Sequence, residues 1–104
     1  MCGISGIFDW KKLEDADVIV EKMLDSQHKR GPDYRSIYSD EEVFLAHNRL
    51  SIIDLAEKAN QPMKSNDGDV VISYNGELYN YLNLKEELQA NYHFKTKSDT
   101  EVII

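Results

Sequence analysis

Cysteine, proline and glycine are all scarce in this chain. One cysteine among 104 residues cannot close an internal disulfide, so cysteine usage points to no oxidising compartment. Two prolines and five glycines leave no proline- or glycine-rich linker, and no internal repeat stands out. No apolar run approaches the roughly 20 residues of a membrane-spanning helix. The N-terminus also lacks the basic stretch and apolar run of a signal peptide. Positive charge is in deficit: 12 Lys and Arg stand against 19 Asp and Glu, a formal net charge of −7. Such a balance argues against nucleic-acid or anionic-membrane partners, which attract basic surfaces. It leaves room for a small zwitterion held by one or two arginines. The expectation is a soluble, cytoplasmic protein of one small domain, with a modest core drawn from its 41% hydrophobic residues.

The single cysteine stands at position 2. Removing Met1 would leave Cys2 with a free α-amine, whose pKa of about 7.7–8.0 keeps it unprotonated far more often than a lysine. One residue would then offer a thiol to attack an acyl group and a base to take its proton. A lone cysteine is most often a small buried hydrophobe. Its position favours the nucleophile, as does Gly3, which lets backbone and substrate approach closely.

The apolar pattern predicts a compact α+β domain. Gly3 to Phe8 reads as a buried strand. Ala16, Val20, Met23 and Leu24 form a helical stripe, capped by Asp15 or Asp17 and ended by Gly31-Pro32. Val43 to Ala46 reads as a strand continuing towards Ile52-Ile53. Asn66-Asp67-Gly68 predicts a turn before the β-branched run Val70-Val71-Ile72, which Asn75-Gly76 ends. Asn80 can cap a second helix with Leu84 and Leu88 on one face, and Phe94 falls in a short strand. Ser98-Asp99-Thr100-Glu101 matches a capping box opening a third helix. That helix has only Val102, Ile103 and Ile104 before the sequence stops, so the chain is expected to be part of something longer.

Several polar residues could serve an acyl-transfer site. Arg30-Gly31-Pro32-Asp33 suits a helix stop with a basic last turn, or a rigid loop near the nucleophile. Arg49 sits among strand-like hydrophobics, either snorkelling to the surface or clamping a carboxylate with its planar fork. His47 reads as structural, since Cys2 would have its own amine. Asn75-Gly76 is a common turn pair. It could equally form an oxyanion hole from the Asn75 amide and the Gly76 N–H. Asp99 could balance a helix dipole or, with Glu77, hold a substrate ammonium. An arginine for a carboxylate and acids for an ammonium together describe an α-amino acid pocket.

Met1-Cys2-Gly3-Ile4, Arg30-Gly31-Pro32-Asp33, Arg49-Leu50-Ser51-Ile52-Ile53-Asp54, Gln61-Pro62, Asn75-Gly76-Glu77-Leu78-Tyr79-Asn80 and Ser98-Asp99-Thr100-Glu101 occur in order. Each is weak alone. As an ordered set they resemble the start of the glutamine-hydrolysing asparagine synthetases, which are class II glutamine amidotransferases of the N-terminal-nucleophile (Ntn) hydrolase group. The wording favours that family, or a β-lactam-forming relative, over the purine and hexosamine amidotransferases. The resemblance implies an α/β/β/α sandwich of antiparallel sheets, incomplete at this length. It also implies that Cys2 attacks the L-glutamine amide and that Asn75 and Gly76 hold the oxyanion. Arg49 would bind the glutamine carboxylate, Asp99 and Glu77 the ammonium, and Leu50, Ser51, Ile52 and Ile53 would line the pocket. No metal or cofactor is implied for this chain. ATP and Mg would belong to a C-terminal synthetase domain, which would receive the ammonia, in a complete enzyme that can be a homodimer. An inert fragment, or a glutamine-binding module without turnover, is the competing expectation.

Overall fold

A computed structural model describes residues 1–52 and 55–104. The fold is α+β, with two antiparallel sheets. Strand β1 (Gly3–Phe8), helix α1 (Ala16–Ser26), strand β2 (Tyr34–Ser39) and strand β3 (Val43–Arg49) make the larger unit. Its strand order is β1-β3-β2, so the last of the three strands in sequence is the central one. A two-stranded ribbon follows, β4 (Met63–Lys64) with β5 (Val71–Ile72), and then helices α2 (Tyr81–Leu88) and α3 (Asp99–Ile103).

Alternation along β3 sets the layers. Phe44 and Ala46 face α1, where Val20 and Leu24 are fully buried with Ile7 and Ala16. Burial of Val20, Leu24 and Ile7 contributes roughly 1.5–3 kcal/mol each. Asn48 faces the same way and donates its Nδ2 to Leu24 O at 2.6 Å, satisfying a carbonyl near the helix end. Leu45, His47 and Arg49 face the other side. There His47 meets Ser73, just past β5, and Lys64 of β4 lies 4.9 Å over the Tyr38 ring. The ribbon therefore covers the sheet face opposite α1, as the expected sandwich of antiparallel sheets requires.

Strand β2 is not announced by any apolar run. In Tyr34-Arg35-Ser36-Ile37-Tyr38-Ser39 only Ile37 joins the core. Arg35 lies on the helix side of the sheet but reaches Glu21 at 2.7 Å and Asp25 at 2.6 Å on α1. The strand is held by pairing with β3 and by a charged pin.

Other local expectations are corrected. Asp15 precedes α1 with φ 56°, a left-handed conformation, and its side chain makes no capping bond. Asn80 makes none either. β3 ends at Arg49, short of the expected continuation, because Ser51 N–H turns to Asp33 Oδ2 at 2.8 Å. Ile53 and Asp54 lie outside the described residues. Phe94 is not in a strand. The neighbouring N–H groups of Lys95 and Thr96 donate to the Glu101 carboxylate at 2.8 and 2.7 Å, so a side chain replaces a strand partner. Glu101 is thereby taken out of the expected capping box. Ser98 still caps α3, accepting from Thr100 N at 3.1 Å, while its own N–H goes to Thr96 Oγ1.

Among the described residues no helix is long and apolar enough to cross a membrane, and no group of three or more His, Cys, Asp or Glu side chains could hold a metal ion.

Candidate active site

The β1–β3 register puts Gly3 opposite Asn48, which brings Cys2 to the end of the sheet beside Arg49. Leu50 N–H points at the Cys2 sulfur from 3.3 Å, and Leu50 O lies 3.7 Å from it. Arg30 Nε donates to Cys2 O at 3.2 Å, tying the turn after α1 to the chain terminus.

Gly31 makes that approach feasible. A Cβ there would lie 2.2 Å from Asn48 O and 2.7 Å from Arg49 N, both backbone atoms with nowhere to go. The loop then closes with Asp33, whose N–H donates to Arg49 O at 3.0 Å and whose carboxylate accepts from Ser51 N–H. Residues 49–51 are thus braced from outside by the Arg30-Gly31-Pro32-Asp33 motif.

Arg49 does not snorkel. It is 7% exposed, and its Nη1 donates to Ala56 O at 3.1 Å and Asn60 Oδ1 at 2.5 Å. Those carbonyl-type acceptors fix the orientation of the planar guanidinium.

β5 delivers Asn75, Gly76 and Glu77 from the other sheet. The Tyr74 ring folds back on Gly76, and a Cβ there would meet its hydroxyl at 2.6 Å. Asp99, in the first turn of α3 and 5% exposed, accepts from Leu78 N–H at 2.9 Å through Oδ2. Helix α3 and the segment after β5 are therefore joined at the acid itself.

These parts surround one cavity of about 400 Å³, within the range of about 300–1,000 Å³ usual for small-molecule sites. Cys2, Arg49, Leu50 and Ile52 line it together with Asn75, Gly76, Glu77 and Asp99. Ser51 does not line it; its N–H is spent on Asp33. Ile53 lies outside the described residues. Gln61, Tyr74, Tyr79, Ser98 and Thr100 also line the cavity, beyond the residues singled out by chemistry. Of these, Gln61, Tyr79, Ser98 and Thr100 had a sequence signal, as members of the Gln61-Pro62, Asn75-to-Asn80 and Ser98-to-Glu101 motifs, and Tyr74 had none. Met1 is still joined to Cys2 and borders the cavity too.

His47 is fully buried and absent from the cavity wall. Ser73 Oγ sits 3.3 Å from Ala46 O, to which it donates, and accepts from His47 Nδ1 at 3.1 Å. That geometry assigns the neutral Nδ1–H tautomer. Burial first, and the nearby Arg49 charge second, hold the imidazole pKa down to about 4. The unfolded chain therefore binds the extra proton first as pH falls. Stability from neutral His47 is complete above about pH 6.5 and lost progressively towards pH 4, amounting to about 3 kcal/mol. Denaturant unfolding at pH 7 and pH 4 should show this loss in the parent and not in His47→Gln. Equal losses in the two proteins would remove His47 as its source.

The sequence matches the family described as a glutamine amidotransferase domain over residues 1–104. It is 42% identical over 108 aligned residues to a glutamine-hydrolyzing asparagine synthetase 1 of Bacillus subtilis, covering 100% of this chain and 17% of that protein. The identity is 41% over 107 residues with glutamine-hydrolyzing asparagine synthetase B of Escherichia coli, covering 100% of this chain and 19% of that one. It is 40% with a probable glutamine-hydrolyzing asparagine synthetase of Schizosaccharomyces pombe, again 100% and 19%. The chain spans less than a fifth of the length of these relatives.

Proposed function

This chain belongs to the glutamine amidotransferase domain family, and from that premise we propose that it hydrolyses L-glutamine to glutamate and ammonia through a thioester on Cys2. The observation that carries the reading is the convergence of Cys2, Arg49, Asn75, Gly76 and Asp99 on one cavity.

Maturation comes first. While Met1 is attached, the nitrogen of Cys2 is an amide and cannot act as a base. After its removal, the Cys2 α-amine takes the thiol proton as sulfur attacks the carboxamide carbon of glutamine. The C–S bond forms as the C=O π bond breaks, and its electron pair goes to the oxygen. The Asn75 side-chain amide and the Gly76 N–H are neutral donors suited to that oxyanion. The α-ammonium then passes the proton to the leaving nitrogen, ammonia departs, and a thioester remains. Water, deprotonated by the same amine, attacks the thioester, and glutamate leaves as the thiol re-forms.

Recognition of the amino-acid end falls to charge. Arg49 faces the α-carboxylate, and Asp99 and Glu77 the α-ammonium. Asp99 already gives one oxygen to Leu78 N–H, which holds the carboxylate steady for a cation. In a longer protein of the relatives' kind, the ammonia would pass to a synthetase domain that uses ATP and Mg to convert aspartate to asparagine.

Intact mass spectrometry after incubation with a glutamine analogue carrying an electrophilic carbon tests the reading. The expected product has lost Met1 and gained one adduct, located on Cys2 by peptide mapping. A Met1-free chain that stays unmodified at saturating analogue refutes the assembled glutamine site.

A further inference from the structure

Gln61 has no place in the chemistry above, yet it lines the cavity and is 8% exposed. Both ends of its amide are engaged. Tyr74 N–H donates to Oε1 at 2.6 Å, and Nε2 donates to Thr100 Oγ1 at 3.2 Å. The backbone donor fixes the orientation of the amide, because only the oxygen can accept from it.

The two partners are adjacent in sequence to the two halves of the site. Tyr74 precedes Asn75, and Thr100 follows Asp99. The helix side of this link is itself held: Thr100 N–H donates to Ser98 Oγ at 3.1 Å, Ser98 N–H to Thr96 Oγ1 at 3.1 Å, and the Thr96 hydroxyl to the buried Glu101 carboxylate. Residues 74–78 are therefore tied to α3 at both ends, by Gln61 at Tyr74 and by Asp99 at Leu78. Without Gln61, the end bearing Asn75 and Gly76 would lose this side-chain tie to the helix.

We propose that Gln61 is a positioning residue for glutamine hydrolysis, its side-chain amide setting the separation between the Asn75–Gly76 donors and Asp99. The proposal rests on the glutaminase reading. In that reading the substrate's carboxamide and α-ammonium are a fixed number of bonds apart. A protein that grips one end must place its oxyanion donors to match, about 2.7–3.1 Å from where the charge develops. A displacement of about 1 Å can cost on the order of 100-fold in rate. Gln61 acts through Tyr74 and Thr100 and takes no part in bond making.

The experiment is a double-mutant cycle on the Met1-processed protein, with ammonia release measured against glutamine concentration. Gln61→Met keeps the side-chain volume and removes both bonds. Its kcat should fall at least about tenfold, with KM changing less than about threefold. In an Asn75→Ala background the same substitution should cost little more, because the donor it positions is gone. Equal losses in both backgrounds, or a kcat within about twofold of the parent, overturn the proposal. Thr100→Val, which removes only the acceptor, should lower kcat in the same direction, and Thr100→Ser should restore it. Equal kcat in those two proteins overturns the proposal, and this pair decides the matter where Gln61→Met does not fold. If the parent turns over glutamine and these variants do not respond, the positioning role alone fails. A processed parent with neither adduct nor ammonia release removes the glutaminase reading and the proposal with it.

Discussion

Cys2→Ala is expected to bring glutamine hydrolysis to background while leaving glutamine bound. The sulfur is the only thiol in the chain, and it borders the cavity with a backbone donor 3.3 Å away. Alanine removes the attacking atom and leaves Arg49, Asp99 and the Asn75–Glu77 segment as they were. Loss of a covalent nucleophile in a hydrolase costs on the order of 10⁶ in turnover. Glutamate release followed by a coupled dehydrogenase assay measures the rate, and calorimetric titration measures the binding. Residual turnover within about 100-fold of the parent would mean that another group attacks the amide. Loss of binding along with turnover would instead mean that Cys2 shapes the cavity rather than reacting in it. In a longer protein carrying a synthetase domain, ammonia-dependent asparagine synthesis should survive the change.

Asn75→Ala should be the next most damaging substitution. Its amide is neutral, and the residue lines the same cavity as Cys2 and directly precedes Gly76. An oxyanion donor matters mainly as the tetrahedral intermediate forms, so its loss lowers kcat and leaves KM nearly unchanged. The expected fall in kcat is roughly 10²–10³. A kcat close to the parent's would end the assignment. A raised KM with unchanged kcat would move Asn75 to ground-state binding of the substrate. The effect should also be larger than that of Gln61→Met, since one removes the donor and the other only displaces it.

Local sequence carried much of the scaffold. The helical stripe of Ala16, Val20 and Leu24 ends up buried, because a helix repeats every 3.6 residues and an apolar stripe at that spacing has one way to face a sheet. Gly3 to Phe8 is a strand that pairs along its whole length with β3, although Ile4 and Phe8 are exposed and not buried as expected. Asn66-Asp67-Gly68 turns with Gly68 at φ 84°, a conformation that glycine adopts without strain. The strand expected to run to Asn75-Gly76 ends earlier, at Ile72, where Ser73 Oγ turns to Ala46 O. The stripe and the turn depend on neighbours a few residues away.

Elements stabilised at a distance leave little local signal in the sequence. β2 is recognisable only once Arg35 has Glu21 and Asp25 beside it and β3 lies alongside. Phe94 lies in a segment whose N–H groups are taken by Glu101, so apolar character gave no strand. Arg49 could be read either way from its flanks. The buried side of the sheet and the acceptors of residues 56–60 decided it.

By itself, the sequence determined the chemical inventory: one thiol at position 2, a planar cationic fork at Arg49, carboxylates at Glu77 and Asp99, and an amide beside a glycine at Asn75-Gly76. Tertiary structure alone decided that these meet around a single cavity, that Ser51 braces the loop instead of lining it, and that Gln61 bridges the two halves. The reason is physical. Side-chain chemistry belongs to the residue and can be read in one dimension. Distances between Cys2, Gln61, Tyr74 and Thr100 arise from strand register and sheet stacking, which are set by the whole chain at once.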